Sequence, residues 1–594
     1  MKGLPQVFRL LIDTAMGRVK ADLVLRGGNL IDVYTAEIVE GVDVAIKSGR
    51  IALVGSAEHT IGPSTEVIDV EGRYISPGFL DGHIHIESSL LTLRKFAEVV
   101  LPHGTTSVFI DPHEIANVLG LRGVKLMHDE GKELPLKVFV MVPSCVPATS
   151  SEFETSGAEI TAEDVEEAIK WENVIGLGEV MNYPGVLLGD EELYRKIEIT
   201  LSSGKVVEGH FFGNINEELN AYLDSGASSN HEATNWNLSL WQARLGMYTM
   251  MREGSAWKDL KNVVRAVTGG QVDSRNFCLV SDDKDVIDLL EVGHMDHLIR
   301  RAIEEGVDPI RAIQMSTINT ATHFGVEEEL GGVAPNRVAD IVLLRDLEKV
   351  DVEKVIVDGR VIAENGRMLS EISEYRYPRY VYNTVKLRRM MAPTDFRIPV
   401  EKGVREVTVR VIGVKEGSLV TEHLLIELKV EGGEIRSNVG KDVIKVAVIE
   451  RHGRRGTYSV GLVKGFGLME GAAATSVSHD SHNIVAIGVS DKDMATAVNH
   501  LINSGGGMAV ARRGEIVRKV DLPIAGLMSS KDPEELAEDV RRSIEVFREL
   551  GCMMKQPFMA MSLLTLPVIP ELKITDKGLI DTTELKKVDV IAET

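Results

Sequence analysis

A chain of 594 residues with 44% hydrophobic content is too long for one apolar core and apolar enough to build several, so a multidomain globular protein is expected. Its formal net charge of −23, from 89 acidic against 66 basic residues, repels polyanions and gives none of the counterion-release driving force of nucleic-acid binding. Three cysteines, Cys145, Cys278 and Cys552, stand far apart in sequence, which excludes a disulfide framework and a C-x-x-C metal site and fits a reducing cytoplasm.

Taken in chain order, the first residues, MKGLPQVFRLLIDTAMGRVKADLVL, hold a short apolar stretch broken by Arg9 and Asp13. No long apolar region or small-residue cleavage site follows, so no signal peptide is expected, and no apolar run reaches the roughly 18 residues of a membrane span. Residues 21–70 alternate β-rich runs with turn signals (ADLVLRGGNLIDV, VDVAIKSGRIALVGS, TEVIDVEGRYIS), and the same texture returns at GGVAPNRVADIVLL and VEKVIVDGRVI. Residues 1–75 and 329–370 therefore read as two halves of one small β-sandwich domain with a larger domain inserted. The insert, residues 76–328, contains eight short apolar runs ending in polar residues: GFLDGHIH, TSVFIDPHE, KVFVMVPSC, VIGLGEV, KVVEGH, ASSNHE, GMYTMMREG and NFCLVSDD. Helical segments such as AEDVEEAIKW and DHLIRRAIEEG lie between them. Eight such units in roughly 250 residues is what a (β/α)8 TIM barrel requires, and that fold assembles its active site at the C-terminal strand ends. Residues 371–399, rich in Tyr and Arg, read as an interdomain strap. Residues 400–594 form an additional C-terminal α/β domain, with strands such as EVTVRVIGV and helices such as PEELAEDVRRSIEVFREL. The glycine run Gly505–Gly507 lacks the Lys-Ser/Thr of a phosphate loop and reads as a helix stop.

His83 and His85 are two residues apart, and on a strand that spacing puts both imidazoles on one face, where they can grip one cation. Glu179, His210, His231 and Asp282 each end a later candidate strand. Four histidines and two carboxylates converging on one rim leave too much unpaired polarity without metal. Six ligands, one a carboxylate able to bridge, suit two divalent ions sharing Glu179 and a water better than one tetrahedral zinc. Metal lowers the pKa of bound water and a nearby carboxylate can then move its proton. Asp282 is placed to orient the nucleophile and Glu232 to shuttle the proton, and the two roles can be exchanged. The Met-rich run MYTMMREG reads as a buried packing strand.

The order His-x-His, bridging residue, His, His, Asp, enclosed by a split β domain, resembles the amidohydrolase superfamily. Many members carry a lysine at the bridging position, whereas this chain has Glu179 in GLGEVMN, which turns the reading away from dihydroorotases and hydantoinases. PGFLDGHIHIESS, DPHEIANVLG, GLGEVMNYPGV, SSNHEAT, GMYTMMREGSAWK, SVSHDSHNIVAIG and LPIAGLMS are similar to adenine deaminases over nearly the whole length. The resemblance implies hydrolysis of adenine to hypoxanthine and ammonia in purine salvage, two manganese or iron ions (zinc being a third option), and homo-oligomers, with no nucleic-acid or membrane partner. The zinc base deaminases that use H-x-E with P-C-x-x-C are excluded by the lack of paired cysteines.

The remaining candidates carry two readings each. Asp111, His113, Glu114 and Asn117 either reach the substrate or form a helix N-terminus capped by Asp111. Ser88 and Ser89 are further substrate candidates. His479, Asp480 and His482 in SHDSHN either bind metal, line the cavity from above or form a structural network. Competing with deamination of adenine are a related enzyme acting on another cyclic amidine or amide, a dead scaffold and a metal-binding protein; every expected ligand is present, against the scaffold.

Overall fold

A computed structural model describes residues 3–269, 272–418 and 420–593. Strand Tyr74–Pro77 joins the two β-rich segments: Ile75 pairs with Leu30 in parallel and with Leu343 in antiparallel register. Strands between Leu23 and Pro77 and between Ile341 and Met368 thereby form one nine-stranded sheet. Tyr74–Pro77 is hydrogen-bonded along both edges, so the strands expected in two halves are continuous in one hydrogen-bonded sheet. Leu25, Val44, Ile46, Ile75, Ile341 and Leu343 share one apolar cluster on it, and the helix Leu4–Ala15 packs Val7 and Leu11 against Ala52.

All eight expected insert strands are present: β1 (Phe79–Ile84), β2 (Thr105–Ile110), β3 (Lys137–Val142), β4 (Val174–Val180), β5 (Val206–Gly209), β6 (Ser229–Asn230), β7 (Tyr248–Arg252) and β8 (Phe277–Val280). The first five form a parallel half-barrel sheet in the order β5-β4-β3-β2-β1, and the last three a parallel sheet β6-β7-β8. Isolated parallel bridges, Val207 to Ala227 and Ile84 to Asp282, run between the two sheets. Helices follow the strands for local reasons. Ala162–Ala168 starts at a reciprocal cap between Thr161 and Asp164. Met295–Glu304 buries Met295, Leu298, Ile299 and Ala302, the i, i+3, i+4, i+7 stripe of an amphipathic helix.

The C-terminal region is built on an eleven-stranded sheet with helices Asp491–Ser504 and Pro533–Glu549. Gly505, at φ 82°, ends the first helix, as the glycine run implied. A Cβ on Gly507 would lie 1.9 Å from the Val520 carbonyl oxygen, so only glycine allows that strand to start there. The strap holds both regions: Tyr377 Oη donates to Glu130 at 2.6 Å, and the Lys386 amide donates to the Arg451 carbonyl at 2.7 Å. Ser529 donates to the Leu90 carbonyl at 2.8 Å and accepts from the Thr92 amide at 3.1 Å. That pairing seats the C-terminal region on the loop leaving β1. Among the described residues no helix is long and apolar enough to cross a membrane.

Candidate metal centre and active site

His83 and His85 end β1 with their Nε2 atoms 3.2 Å apart. Asp282, one residue past Ser281 at the end of β8, brings Oδ1 to 3.2 Å from His85 Nε2 and 3.6 Å from His83 Nε2. Its φ of 58° lies in the left-handed region, which Asp tolerates better than most residues. The surroundings impose it: the Asp282 amide donates to the His83 carbonyl and its carbonyl accepts from the His85 amide, both at 3.0 Å. His85 Nδ1 donates to the Asp111 carbonyl at 2.9 Å, which leaves the Nε2 lone pair for a cation.

Glu179, at the end of β4, stands between two sets of imidazoles. Oε2 lies 2.6 Å from His210 Nδ1 and 3.0 Å from His231 Nε2. Oε1 lies 3.2 Å from His113 Nδ1 and 3.5 Å from His85 Nε2. Asp111 Oδ2 accepts from the Glu179 amide at 2.9 Å. Asp111 therefore positions the bridging strand and does not cap the helix His113–Leu119, where Glu87 accepts the Ile115 amide instead. His113, entered above only as a substrate candidate, sits against Glu179, a placement set by that helix.

One residue at the heart of the site escaped the sequence reading. Arg252 ends β7, and its Nη1 donates to Glu232 Oε1 at 2.6 Å and to Asp282 Oδ2 at 2.9 Å, while Nη2 donates to Asp259 at 2.9 Å. MYTMMREG is the buried packing strand expected, with Met250 and Met251 in the interior, and its last strand residue reaches Glu232 and Asp282. The signal was available: it was the one strand end carrying a full charge to which no role was given. Burial alone raises the Glu232 carboxyl, but Arg252, His210 and His231 outweigh it and hold it at about 2. Burial likewise opposes ionisation of Asp282, and His85 and Arg252 draw it well below the usual carboxylate range. His85 is opposed by burial and the neighbouring His113, yet Asp282 and Glu179 raise it to about 10; His83, buried beside His231 and His85, is pushed well below its ordinary value.

His85, His113, Glu114, Glu179, His210, His231, Glu232 and Asp282 line one small cavity of about 50 Å³, with His479, Asp480, Leu563, Leu566 and Ile569 of the C-terminal region on its far wall. His479 Nδ1 lies 2.6 Å from Glu114 Oε1. His482 contacts Glu114 from behind and accepts the Ser478 amide on Nδ1, so it does not line the cavity. Ser88 donates to Asp283, Ser89 to the Ile86 carbonyl at 2.6 Å, and Asn117 Nδ2 to the His113 carbonyl at 3.0 Å; all three lie outside the cavity wall.

Among the described residues five groups could each hold a metal ion: His83 with His85 and Asp282, His83 with Glu179 and His231, His85 with His113 and Glu179, His210 with His231 and Glu232, and His113 with Glu114, His479 and Asp480. Buried His210 Nε2 and Glu232 Oε2 have no hydrogen-bond partner, a cost of roughly 1–3 kcal/mol each that a cation or its water removes. An all-nitrogen-and-oxygen donor set without sulfur suits a divalent ion such as manganese, iron or zinc.

Residues 74–362 match the amidohydrolase family, and residues 418–586 match the adenine deaminase C-terminal domain. The adenine deaminase of Moorella thermoacetica is 49% identical over 591 residues, covering 99% of each chain. That of Clostridium botulinum strain Loch Maree is 46% identical over 593 residues, covering 100% of this chain and 99% of the relative. Adenine deaminase 3 of Rhizobium meliloti is 46% identical over 584 residues and 98% of each chain.

Proposed function

The chain belongs to the adenine deaminases of the amidohydrolase family, and from that membership and the geometry of the site we infer hydrolysis of adenine to hypoxanthine and ammonia. The observation that carries the chemistry is the Glu179 carboxylate, shared between His210 and His231 on one oxygen and His113 and His85 on the other. We read β1–β8 as one closed (β/α)8 barrel, supported by the two bridges at Val207 and Ile84. The nine-stranded sheet (residues 1–75 and 329–370), the strap (371–399) and the C-terminal region (400–594) complete the proposed layout. A cytoplasmic setting accords with three free, buried cysteines.

His83, His85 and Asp282 would hold one ion, His210 and His231 the other, and Glu179 both, manganese or iron being the proposed metals. Bound metal supplies the Lewis acidity that makes water a nucleophile near neutral pH. Asp282, fixed by its backbone bonds to His83 and His85, orients that water towards the carbon bearing the amine. Glu232, ionised and with Oε2 free, accepts the proton and returns it to the ring nitrogen or the departing ammonia. Arg252 holds both carboxylates, so geometry also permits the roles to be exchanged. His113, Glu114 and His479 offer the donors and acceptors that a purine edge needs. The C-terminal side chains Leu563, Leu566 and Ile569 exclude water from that face.

Ammonia release from a panel of adenine, adenosine, cytosine and cyclic amides tests the substrate. Adenine is expected to be by far the best; faster hydrolysis of another cyclic amidine or amide would overturn the assignment while leaving the metal site intact.

His85, raised to about 10, and His231, raised well above its ordinary value, are cationic at neutral pH in the metal-free protein. Both must give up a proton to ligate, so loading with manganese should release protons and bind more tightly as pH rises. Proton uptake on loading, or affinity that weakens with rising pH, contradicts the ligand assignment.

A further inference from the structure

Every polar group facing the small cavity is buried, yet substrate and product must pass. Beside it lies a second cavity of about 550 Å³, between the loop after β7 and the C-terminal region. Trp257 and Leu563 belong to the walls of both cavities. We propose that the larger cavity is a vestibule that holds a planar purine base on its way to and from the metal centre, with Trp257 and Leu563 forming the gate. The proposal rests on the adenine reading above.

The chemistry of the walls selects the ligand. Trp257, Met554, Met559 and Leu564 present flat or adaptable apolar surface, which suits the faces of a heteroaromatic ring. Ser255, Thr421 and Gln556 also line it, each already bonded within the protein: Ser255 Oγ accepts from the Asp285 amide at 3.0 Å, Thr421 Oγ1 donates to the Leu572 carbonyl at 2.8 Å and Gln556 Nε2 donates to Asp285 Oδ2. A ring edge would therefore meet the Ser255 hydroxyl hydrogen and the Gln556 amide oxygen. Lys258 and Lys415, half or more exposed, mark the mouth, and each already faces an acid: Asp288 at 3.8 Å and Glu422 in direct contact. That engagement favours an uncharged base over a nucleotide, whose phosphates would need free cations.

The vestibule wall is also tied to the catalytic end of β8. The Gly254 amide donates to the Trp257 carbonyl at 2.8 Å, and the Ser255 amide to the Asp283 carbonyl at 2.7 Å. A Cβ on Gly254 would lie 2.8 Å from that Asp283 oxygen, so the loop is drawn in as closely as glycine permits. Gln556 Nε2, from the C-terminal region, donates to Asp285 Oδ2 at 2.8 Å. A base pressing on Trp257 therefore bears on the segment that carries Asp282 and Asp283.

Because the described native thiols are all buried, Ala560→Cys, on the vestibule wall, and Lys415→Cys, at its mouth, can be labelled with a bulky maleimide after the metal-loaded protein has folded. Labelling of A560C should lower kcat/KM for adenine by about tenfold or more at unchanged metal content. Hypoxanthine should slow that labelling, a binding readout that needs no turnover. Complete labelling of both variants with unchanged kcat/KM overturns the vestibule while leaving the adenine reading intact. Absence of ammonia release from adenine by the unlabelled parent protein overturns that reading, and the vestibule with it.

Discussion

Glu179→Gln is expected to lower bound metal from two equivalents towards one or none and to reduce deamination by more than the ~10–100-fold typical of losing an outer-shell partner. Glu179 is the one carboxylate that supplies an oxygen to two of the five candidate ligand groups among the described residues, and each of its oxygens faces two imidazoles. Glutamine keeps the shape but loses the charge, and its amide nitrogen cannot ligate. The four imidazoles would keep only the separate carboxylates beside them, Asp282 3.2 Å from His85, Glu114 3.3 Å from His113 and Glu232 3.3 Å from His231, and lose the one anion that faces all four. Metal analysis after gel filtration, alongside ammonia release, reads both effects. Unchanged stoichiometry with full activity would remove Glu179 from the centre.

The second large effect is expected at Arg252. Its guanidinium is buried and holds Glu232, Asp282 and Asp259 simultaneously. Arg252→Met leaves acidic groups buried without their counter-charge, a loss of ~3–5 kcal/mol when nothing else compensates. Bound metal offsets part of this, so the cleaner readout is catalytic. Arg252 is one of the charges that hold Glu232 at about 2 against burial. Without it the Glu232 pKa rises, a higher pH is needed to ionise the group, and the acid limb of the kcat/KM profile should move to higher pH. Arg252→Lys should fall in between, since one ammonium cannot reproduce the planar fork that reaches three carboxylates. A variant with wild-type metal content and an unshifted profile would reduce Arg252 to packing.

Much of this centre was legible because barrel-type strands are short and end in chemistry. His83 and His85 are readable from a spacing of two, and Glu179, His210, His231 and Asp282 from their place at the ends of apolar runs; the structure brings all six together. Arg252 was not, since the three methionines of MYTMMREG, two of them in β7, gave a packing signal strong enough to hide the charge at its end. The contact between His113 and Glu179 depends on how the helix after β2 is set, which Glu87 and Asp111 decide through backbone bonds that no local pattern displays. The far wall was out of reach for another reason. Leu563, Leu566 and Ile569 meet a cavity whose barrel-strand residues lie hundreds of positions earlier, and docking of that kind leaves no periodicity. The β region shows the same limit: alternation identified its strands, but whether they formed one sheet or two depended on Tyr74–Pro77 pairing along both edges.

The buried histidines and carboxylates, on the reading proposed above, hold metal in order to deaminate adenine. Metal-free protein reloaded with manganese should convert adenine to hypoxanthine with one ammonia released per hypoxanthine formed, and a chelated control should do neither. Equal conversion by the chelated protein, or a fully metal-loaded protein that leaves adenine untouched, would contradict it.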